Sequence, residues 1–241
     1  MIRTNLDHVW RPSPNFGERL SDVDILLLHY TGMKSGSAAV NWLCAEESGV
    51  SCHYLVDIDG SITQMVSEDK RAWHAGKSYW QGNEDINSAS VGIEIQNEGS
   101  SLTDIVENMP DFPDVQIAAV IALSKDIIAR HKIPAERVLA HSDVAPGRKV
   151  DPGPKFPWAK LAQAGVGVWH QNISIGNDLS VKDIQRCLWT HGYDCHVSGD
   201  MDEETVRFLK SFQLRYGLEK IDGVADHATQ HLLQNIGKKN D

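Results

Sequence analysis

Two histidines and one aspartate have the donor types of a metal site. His29 ends the apolar run DILLLHY, His141 ends the run RVLAH, and Asp151 follows in the next loop. Two imidazoles and one carboxylate would give a zinc ion three protein ligands and leave a fourth position for water, a pattern typical of catalytic zinc. The spacing equally fits histidines of the surface or the core, since the chain contains 11 of them.

The segment that joins His141 to Asp151 has the composition of a fixed loop. Residues 140–154, AHSDVAPGRKVDPGP, contain three prolines and two glycines, which disfavour a helix or a central strand. Loops held by a rigid scaffold often carry functional groups. We therefore expect this loop to present Lys149 together with the two candidate ligands, although a lysine is more often simply solvated.

Four further side chains could line the same site. Glu94 lies in the otherwise apolar strand VGIEIQ and would either face water at a sheet edge or project as a carboxylate into a cleft. Trp73 and His74 would form either a packed turn or a cleft wall that contacts sugar or peptide. His53 could be a third imidazole near the metal, but a role behind the ligands or in the core is favoured.

The composition indicates a globular protein and disfavours nucleic-acid and membrane-spanning functions. Of 241 residues, 41% are hydrophobic, and the formal net charge of -10 would repel a phosphate backbone. No apolar stretch approaches the ~20 residues of a membrane span, and the start of the chain lacks the apolar core of a secretory signal. The four cysteines form no CxxC pair, and we interpret them as reduced and mostly buried.

The residues up to 165 alternate between strand and helix patterns. The predicted strands are 24–30, two around the Asp59-Gly60 turn within 51–66, 91–96 and 137–141. The predicted helices are 37–47 capped by Ser37, 114–131 capped by Asp114, and one that begins at Pro157. Residues 71–90, rich in Gly, Asn and Ser, are predicted as a long surface loop.

The composition changes after Ala164. We assign residues 1–165 to an α/β domain, residues 166–178 to a linker, and residues 179–241 to a small C-terminal three-helix domain with Gly-containing turns. A domain of about 60 residues lies near the lower size limit for folding alone.

Five quoted stretches carry a family resemblance. They are LLLHYT (26–31), VSCHYLVDIDGSI (50–62), RAWHAG (71–76), NSASVGIEIQN (87–97) and HSDVAPGRKVDPGPKFPW (141–158). In this order they resemble the zinc-dependent N-acetylmuramoyl-L-alanine amidases, most closely the cytoplasmic anhydro-muropeptide amidases and their lipoprotein relatives. IQRCLWTHGY, SGDMDEETVRFLKSFQLRYGL and DGVADHATQHLL resemble the small helical peptidoglycan-binding domain.

The resemblance implies a role for each candidate residue. It implies that His29, His141 and Asp151 bind Zn²⁺, that Glu94 is the general base, and that Lys149 stabilises developing negative charge. Some phage-type members have a tyrosine where this chain has Cys52, and they lack the glutamate. Because Glu94 is present, the chain resembles the glutamate-dependent branch, and Cys52 needs no catalytic role. The implied fold is a mixed central β-sheet flanked by helices, with the zinc groove at a sheet edge.

The implied reaction is hydrolysis of the amide between N-acetylmuramic acid, or its 1,6-anhydro form, and L-alanine of the stem peptide. Expected partners are peptidoglycan or muropeptide fragments. The start of the chain favours the cytoplasm, whereas the tail favours the periplasm or cell envelope. A non-catalytic peptidoglycan sensor, a zinc peptidase and a structural zinc domain are the alternatives. The presence of all three ligands disfavours the sensor, and the absence of an HExxH motif disfavours the zinc peptidase. The lack of cysteine in the loop motif disfavours the structural zinc domain.

Overall fold

The structure, a computed structural model, describes residues 1–99, 109–169 and 178–236. Its strands are β1 Val9–Trp10, β2 Phe16–Glu18, β3 Ile25–Tyr30, β4 Tyr54–Val56, β5 Ile62–Gln64, β6 Lys70–Ala72, β7 Ser90–Ile95 and β8 Val138–Ala140. Its helices are α1 Gly36–Leu43, α2 Ile86–Ala89, α3 Asp114–His131, α4 His141–Val144, α5 Trp158–Gln163, α6 Val181–His191, α7 Glu203–Arg215 and α8 His227–Ile236. Within these ranges no helix is long and apolar enough to cross a bilayer.

A six-stranded mixed sheet forms the centre of the fold, as predicted. Its order is β1-β5-β4-β7-β3-β8, in which β4 and β5 are antiparallel and the other neighbours run parallel. The run from Ile25 to Leu28 is completely buried, which is typical of a parallel strand covered on both faces.

Alternate residues of β3 belong to different cores. Leu26 and Leu28 pack with apolar residues of α3, whereas Ile25 and Leu27 pack with residues of the C-terminal helices. Side chains along a strand point to opposite faces in turn, so α3 covers one face of the sheet and the C-terminal helices cover the other.

The N-caps of two helices differ from the prediction. Helix α1 begins at Gly36 because Ser35, not Ser37, accepts the hydrogen bond from the N–H of Ala38. Helix α3 has the predicted bounds, but Pro113 is its cap. Asp114 is already helical, and its carboxylate pairs with a lysine instead of capping the helix. In both cases several polar or rigid residues stand near the start, and local pattern does not distinguish among them.

The segment 71–90 is not a surface loop. It contains the end of strand β6, which pairs with β2, and the whole of helix α2. Trp80 is 1% exposed and Ile86 is fully buried. One of the polar residues that suggested a solvated loop instead satisfies buried backbone groups. The side chain of Asn87 accepts from the N–H groups of His74 and Ala75 at 2.9 and 2.8 Å.

The C-terminal segment forms the three predicted helices, but they are not a separate bundle. Leu188, Leu209 and Phe212 share one buried cluster with Ile25 and Leu27 of the sheet. A bundle of this size gains too little from its own core, so burying a face of the sheet adds apolar area. Residues 170–177 of the predicted linker lie outside the described residues.

All four cysteines are free. Cys52 and Cys195 are buried, and Cys44 and Cys187 are partly buried.

We expect Leu209→Ala to destabilise the whole chain, since Leu209 is fully buried in the cluster that joins the helices to the sheet. Truncating a buried leucine lowers the free energy of unfolding by about 2–5 kcal/mol. Urea unfolding followed by tryptophan fluorescence and by circular dichroism should shift together in a single transition. Leu20→Ala, at a residue that is 83% exposed, is the matched control. Two separated transitions would contradict the shared core.

Candidate active site

His29 and Glu94 lie side by side on neighbouring interior strands. They are register partners on β3 and β7, so both project from the same face of the sheet. This is the face that also carries Ile25 and Leu27, beyond the area that the C-terminal helices cover. Each is the fifth residue of a six-residue strand, so the site lies at the edge of the sheet formed by the carboxyl ends of β3 and β7. The two strands themselves lie between β4 and β8.

The loop after β8 returns on itself so that its two ends meet. Strand β8 ends at Ala140, and His141 is the first residue of helix α4 and not the end of a strand. The N–H of Ser142 donates to the carbonyl of Asp151 over 3.1 Å. At the far end of the loop, Gly147 has φ of 74°, a left-handed backbone conformation that favours glycine.

The three predicted ligands converge. The Nδ1 atoms of His29 and His141 are 2.9 Å apart, and each lies 3.0 or 2.9 Å from Oδ2 of Asp151. All three residues are buried, with at most 6% of their surface exposed. These three atoms form a nearly equilateral triangle of potential donors to a cation.

The hydrogen bond behind His141 fixes its tautomer. Its Nε2 lies 3.0 Å from the carbonyl oxygen of Ala75. A carbonyl only accepts, so Nε2 must carry the proton, and the Nδ1 of the neutral ring carries a lone pair. The lone pair of His141 is therefore on the side that faces Asp151.

A chain of three hydrogen bonds fixes His29 in the same way. Ser90 Oγ donates to the carbonyl of Ile86 at 2.6 Å, so it can accept at 3.3 Å from Nε2 of His74. The Nδ1 of His74 then has the lone pair that accepts from Nε2 of His29 at 2.9 Å. The Nδ1 of His29 is left unprotonated, pointing at Asp151.

When both outer ring nitrogens carry the proton, the inner Nδ1 atoms of the neutral rings present lone pairs to Asp151. Burial, and then His141, lower the pKa of His29 to about 4, so its ring is neutral near pH 7. Burial alone would raise the pKa of Asp151, but attraction to His141 and His29 and hydrogen bonds from them, which need a proton on the ring nitrogen that faces the carboxylate, hold it well below its usual range. Neutral imidazoles and an ionised carboxylate are the protonation states that metal binding requires. The residues present thus fit a bound metal ion.

A second set of potential ligands shares His29, namely His29, Cys52 and His74. Burial raises the pKa of the Cys52 thiol well above its usual value, so the thiol stays protonated. The Nε2 of His29 and the Nδ1 of His74 are already joined by one proton. This second set is a satisfied hydrogen-bonded group and needs no cation.

Gly92 makes room for this arrangement. A Cβ atom at that position would lie 2.6 Å from Nδ1 of His74 and 2.8 Å from Sγ of Cys52. The N–H of Gly92 also donates to Nδ1 of His53 at 3.0 Å. His53 is fully buried, and burial followed by the charge of Arg19 lowers its pKa to about 3, so it is a neutral core residue behind the site, as predicted.

Glu94 and Lys149 line the same groove as the ligand triangle, a cavity of about 440 Å³. The Oε2 of Glu94 is buried and has no hydrogen-bond partner among the described residues. Burial and the charge of Asp151 raise the pKa of Glu94 well above its usual value, while Lys149 acts in the opposite direction. The groove therefore holds an unpaired carboxyl group and a cation beside the triangle.

The contacts of the remaining residues around the groove show which of them could meet a ligand. Trp73 lines the groove and is half-buried, so its ring is accessible to a ligand. Both ring nitrogens of His74 are occupied, which leaves it no polar contact to offer a substrate. Arg148 donates to the carbonyls of Ala75 and Lys77 and so ties the loop to the 71–90 segment. No sequence pattern could indicate the carbonyl of Ala75 as a partner of His141, because every residue has a backbone carbonyl.

Comparison with known proteins agrees with this geometry. Residues 19–154 match the family model described as N-acetylmuramoyl-L-alanine amidase. Residues 177–233 match the model described as a putative peptidoglycan-binding domain. The chain is 36% identical to the N-acetylmuramoyl-L-alanine amidase AmiD of Escherichia coli, over 90% of this chain and 83% of that protein. It is 34% identical to the 1,6-anhydro-N-acetylmuramyl-L-alanine amidase AmpD of the same species, over 62% of this chain and 87% of that protein.

Solved structures show the same fold. The complex of Escherichia coli AmiD with an anhydro-N-acetylmuramic acid tripeptide has a TM-score of 0.79 at 31% identity, covering 93% of this chain and 97% of that one. AmpDh3 from Pseudomonas aeruginosa with an anhydromuramic pentapeptide also has a TM-score of 0.79 at 31% identity, covering 97% and 96%.

The chain is thus an amidohydrolase of the mixed α/β type. It belongs to the N-acetylmuramoyl-L-alanine amidase family and carries a peptidoglycan-binding domain at its C-terminal end.

We expect His74→Phe to weaken metal binding. The phenyl ring keeps most of the volume but cannot accept from Nε2 of His29, so the tautomer of His29 is no longer fixed. Losing an outer hydrogen-bond partner of a ligating histidine costs about 10–100-fold in metal affinity or activity. Zinc affinity would be measured by competition with a chromogenic chelator. His196→Gln, at an exposed histidine, is the control. Unchanged affinity in His74→Phe would refute the orienting role.

Proposed function

We propose that the chain uses Zn²⁺, held by His29, His141 and Asp151, to hydrolyse the amide between N-acetylmuramic acid and L-alanine. The observation that carries the proposal is the meeting of two imidazole nitrogens and one carboxylate oxygen, in the same groove as a buried Glu94 oxygen that has no hydrogen-bond partner among the described residues. Nitrogen and carboxylate donors in a set of three suit a catalytic zinc site with an open position. Family membership supports both the reaction and the metal.

A bound zinc ion would supply a Lewis acid that polarises the amide carbonyl and lowers the pKa of water toward ~7. Glu94 accepts a proton from the water that attacks the carbonyl carbon. As the new C–O bond forms and the C–N bond breaks, Glu94 returns that proton to the amine nitrogen of the departing L-alanine. The high pKa of Glu94 in the buried groove suits a group that must hold a proton between the two steps.

Lys149 and Trp73 complete the proposed site. The ammonium group of Lys149 stabilises the negative charge that develops on the carbonyl oxygen. The ring of Trp73, which lines the groove, packs against a sugar face. We propose that His74 acts on His29 and does not bind substrate.

The substrate form is proposed to be the 1,6-anhydro-muropeptide, with intact peptidoglycan as the second candidate. The AmiD and AmpDh3 structures with anhydromuramic peptides support the first, and the matched peptidoglycan-binding domain supports the second. The domain ranges 1–165 and 179–241 stay a prediction, which the two matched ranges support. We propose the cytoplasm as the compartment, with the periplasm or cell envelope as the alternative.

The substrate test is mass spectrometry of products from anhydro-muropeptide and from intact sacculi. Each substrate is incubated with the protein as prepared, after removal of metal by a chelator, and after zinc is restored. We expect free stem peptide from the anhydro substrate, loss of turnover with chelator and recovery with zinc. Stem-peptide release from sacculi alone would favour the second candidate. Metal-independent cleavage, or no cleavage of either substrate, would contradict the proposed function.

We expect Glu94→Gln to retain zinc and lose turnover. The amide cannot accept a proton from water, and general acid–base catalysis contributes about 10²–10⁴-fold to a rate. The rate constant kcat and the zinc content would be measured on the same preparation. Glu84→Gln, at an exposed glutamate of the same domain, should retain full activity. Full activity in Glu94→Gln would exclude Glu94 as the general base.

A further inference from the structure

Helix α4 carries a metal ligand at its first residue and a buried acid at its third. The Oδ2 atom of Asp143 accepts from the N–H of Ala140 at 2.8 Å and so closes the turn on which His141 sits. Asp143 is 1% exposed. The backbone that aims His141 is therefore tied to the position of one buried carboxylate.

The groups that face this carboxylate from the C-terminal segment are Arg215 and Tyr193. The Nε of Arg215 lies 3.5 Å from Oδ2 of Asp143, and the hydroxyl of Tyr193 lies 3.5 Å from Oδ1. Arg215 and Tyr193 are 3% and 1% exposed. At this separation away from water, the attraction between the charges is much stronger than at the surface.

The guanidinium of Arg215 is itself held in place. Its central carbon lies 3.6 Å from the ring centroid of Trp158, and Nη2 donates to the carbonyl of Val168 at 3.2 Å. Planar stacking combined with directed donors is a geometry that lysine cannot reproduce. Arg215 thus presents a fixed positive charge to Asp143.

Helix α7 touches the loop a second time. The side chain of Arg207 lies against Gly147, where a Cβ atom would be 2.3 Å from Cδ of Arg207. Asp143 and Gly147 both lie between the ligands His141 and Asp151 in the chain. Helix α7 therefore contacts the metal-binding loop at two points between its two ligands.

We infer that Arg215 is a positioning residue for the metal site, acting through Asp143 to hold the backbone that carries His141. This inference rests on the proposed zinc function. It gives the C-terminal helices a role in building the catalytic groove, in addition to binding peptidoglycan. Because Arg215 is inferred to hold the backbone that carries His141, its removal must lower metal affinity as well as stability.

The test is zinc affinity of the full chain, measured by chelator competition at a temperature where each variant is folded by circular dichroism. We expect Arg215→Met to weaken zinc binding about 10–100-fold, the range for lost outer partners of a metal ligand. Turnover should recover toward wild type at saturating zinc, with kcat and KM restored together. Arg186→Met, at an exposed ion pair of helix α6, should leave zinc affinity unchanged.

A double-mutant cycle with Asp143→Asn distinguishes an effect transmitted through Asp143 from an unspecific disturbance of the folded structure. If Arg215 acts through Asp143, the double variant should bind zinc no more weakly than the weaker single variant. Additive losses would overturn the proposed route, and wild-type affinity in Arg215→Met would overturn the positioning role. If Arg215→Met does not fold, Arg215→Gln keeps a donor for Val168 and removes the charge, and its zinc affinity decides.

Failure of this inference can be told apart from failure of the proposed function. A wild-type chain that binds zinc and cleaves substrate, beside Arg215 variants of equal zinc affinity, overturns only the inference. A wild-type chain that binds no zinc overturns both.

Discussion

The structure depends on a mutual arrangement of three lone pairs. The Nδ1 atoms of His29 and His141 and one oxygen of Asp151 lie within 3.0 Å of one another. Close approach of three acceptors is unfavourable unless a cation lies among them or the surroundings hold them in place. The surrounding hydrogen bonds do hold them, because the partners behind each ring, Ala75 and His74, direct its proton away from the centre. The geometry of the site is thus set by the groups behind the rings as much as by the three donor residues themselves.

The fold provides those partners from segments far apart in the chain. Parallel strands β3 and β7 set His29 beside Glu94, and the 71–90 segment crosses behind both histidines. One side chain, Asn87, holds the two backbone N–H groups at the residues that contact the rings, His74 and Ala75. The C-terminal helices cover the rest of the same sheet face and contact the loop that carries His141 and Asp151. The loop that carries His141 and Asp151, the sheet face and the C-terminal helices therefore form one packed unit.

The sequence was sufficient for residues that lie in distinctive local patterns. The Pro- and Gly-rich loop pointed to His141, Lys149 and Asp151, which the structure brings into one groove, and the apolar strands around His29 and Glu94 predicted the central sheet. The prediction from sequence failed where a polar side chain can either face solvent or form hydrogen bonds to buried backbone groups. The 71–90 segment looks solvated, yet its Asn87 satisfies buried backbone. Arg215 lies near the end of an ordinary amphipathic helix, and its contact with Asp143 spans the chain, so no local pattern could indicate it.

Gly92 shows that a residue without a functional side chain can limit this site. A Cβ atom there would lie 2.6 Å from Nδ1 of His74, the atom that accepts from Nε2 of His29. A larger residue would have to displace the ring behind His29 while leaving all three candidate ligands in the sequence. An intact set of donor residues is therefore not enough by itself to specify the geometry of this site.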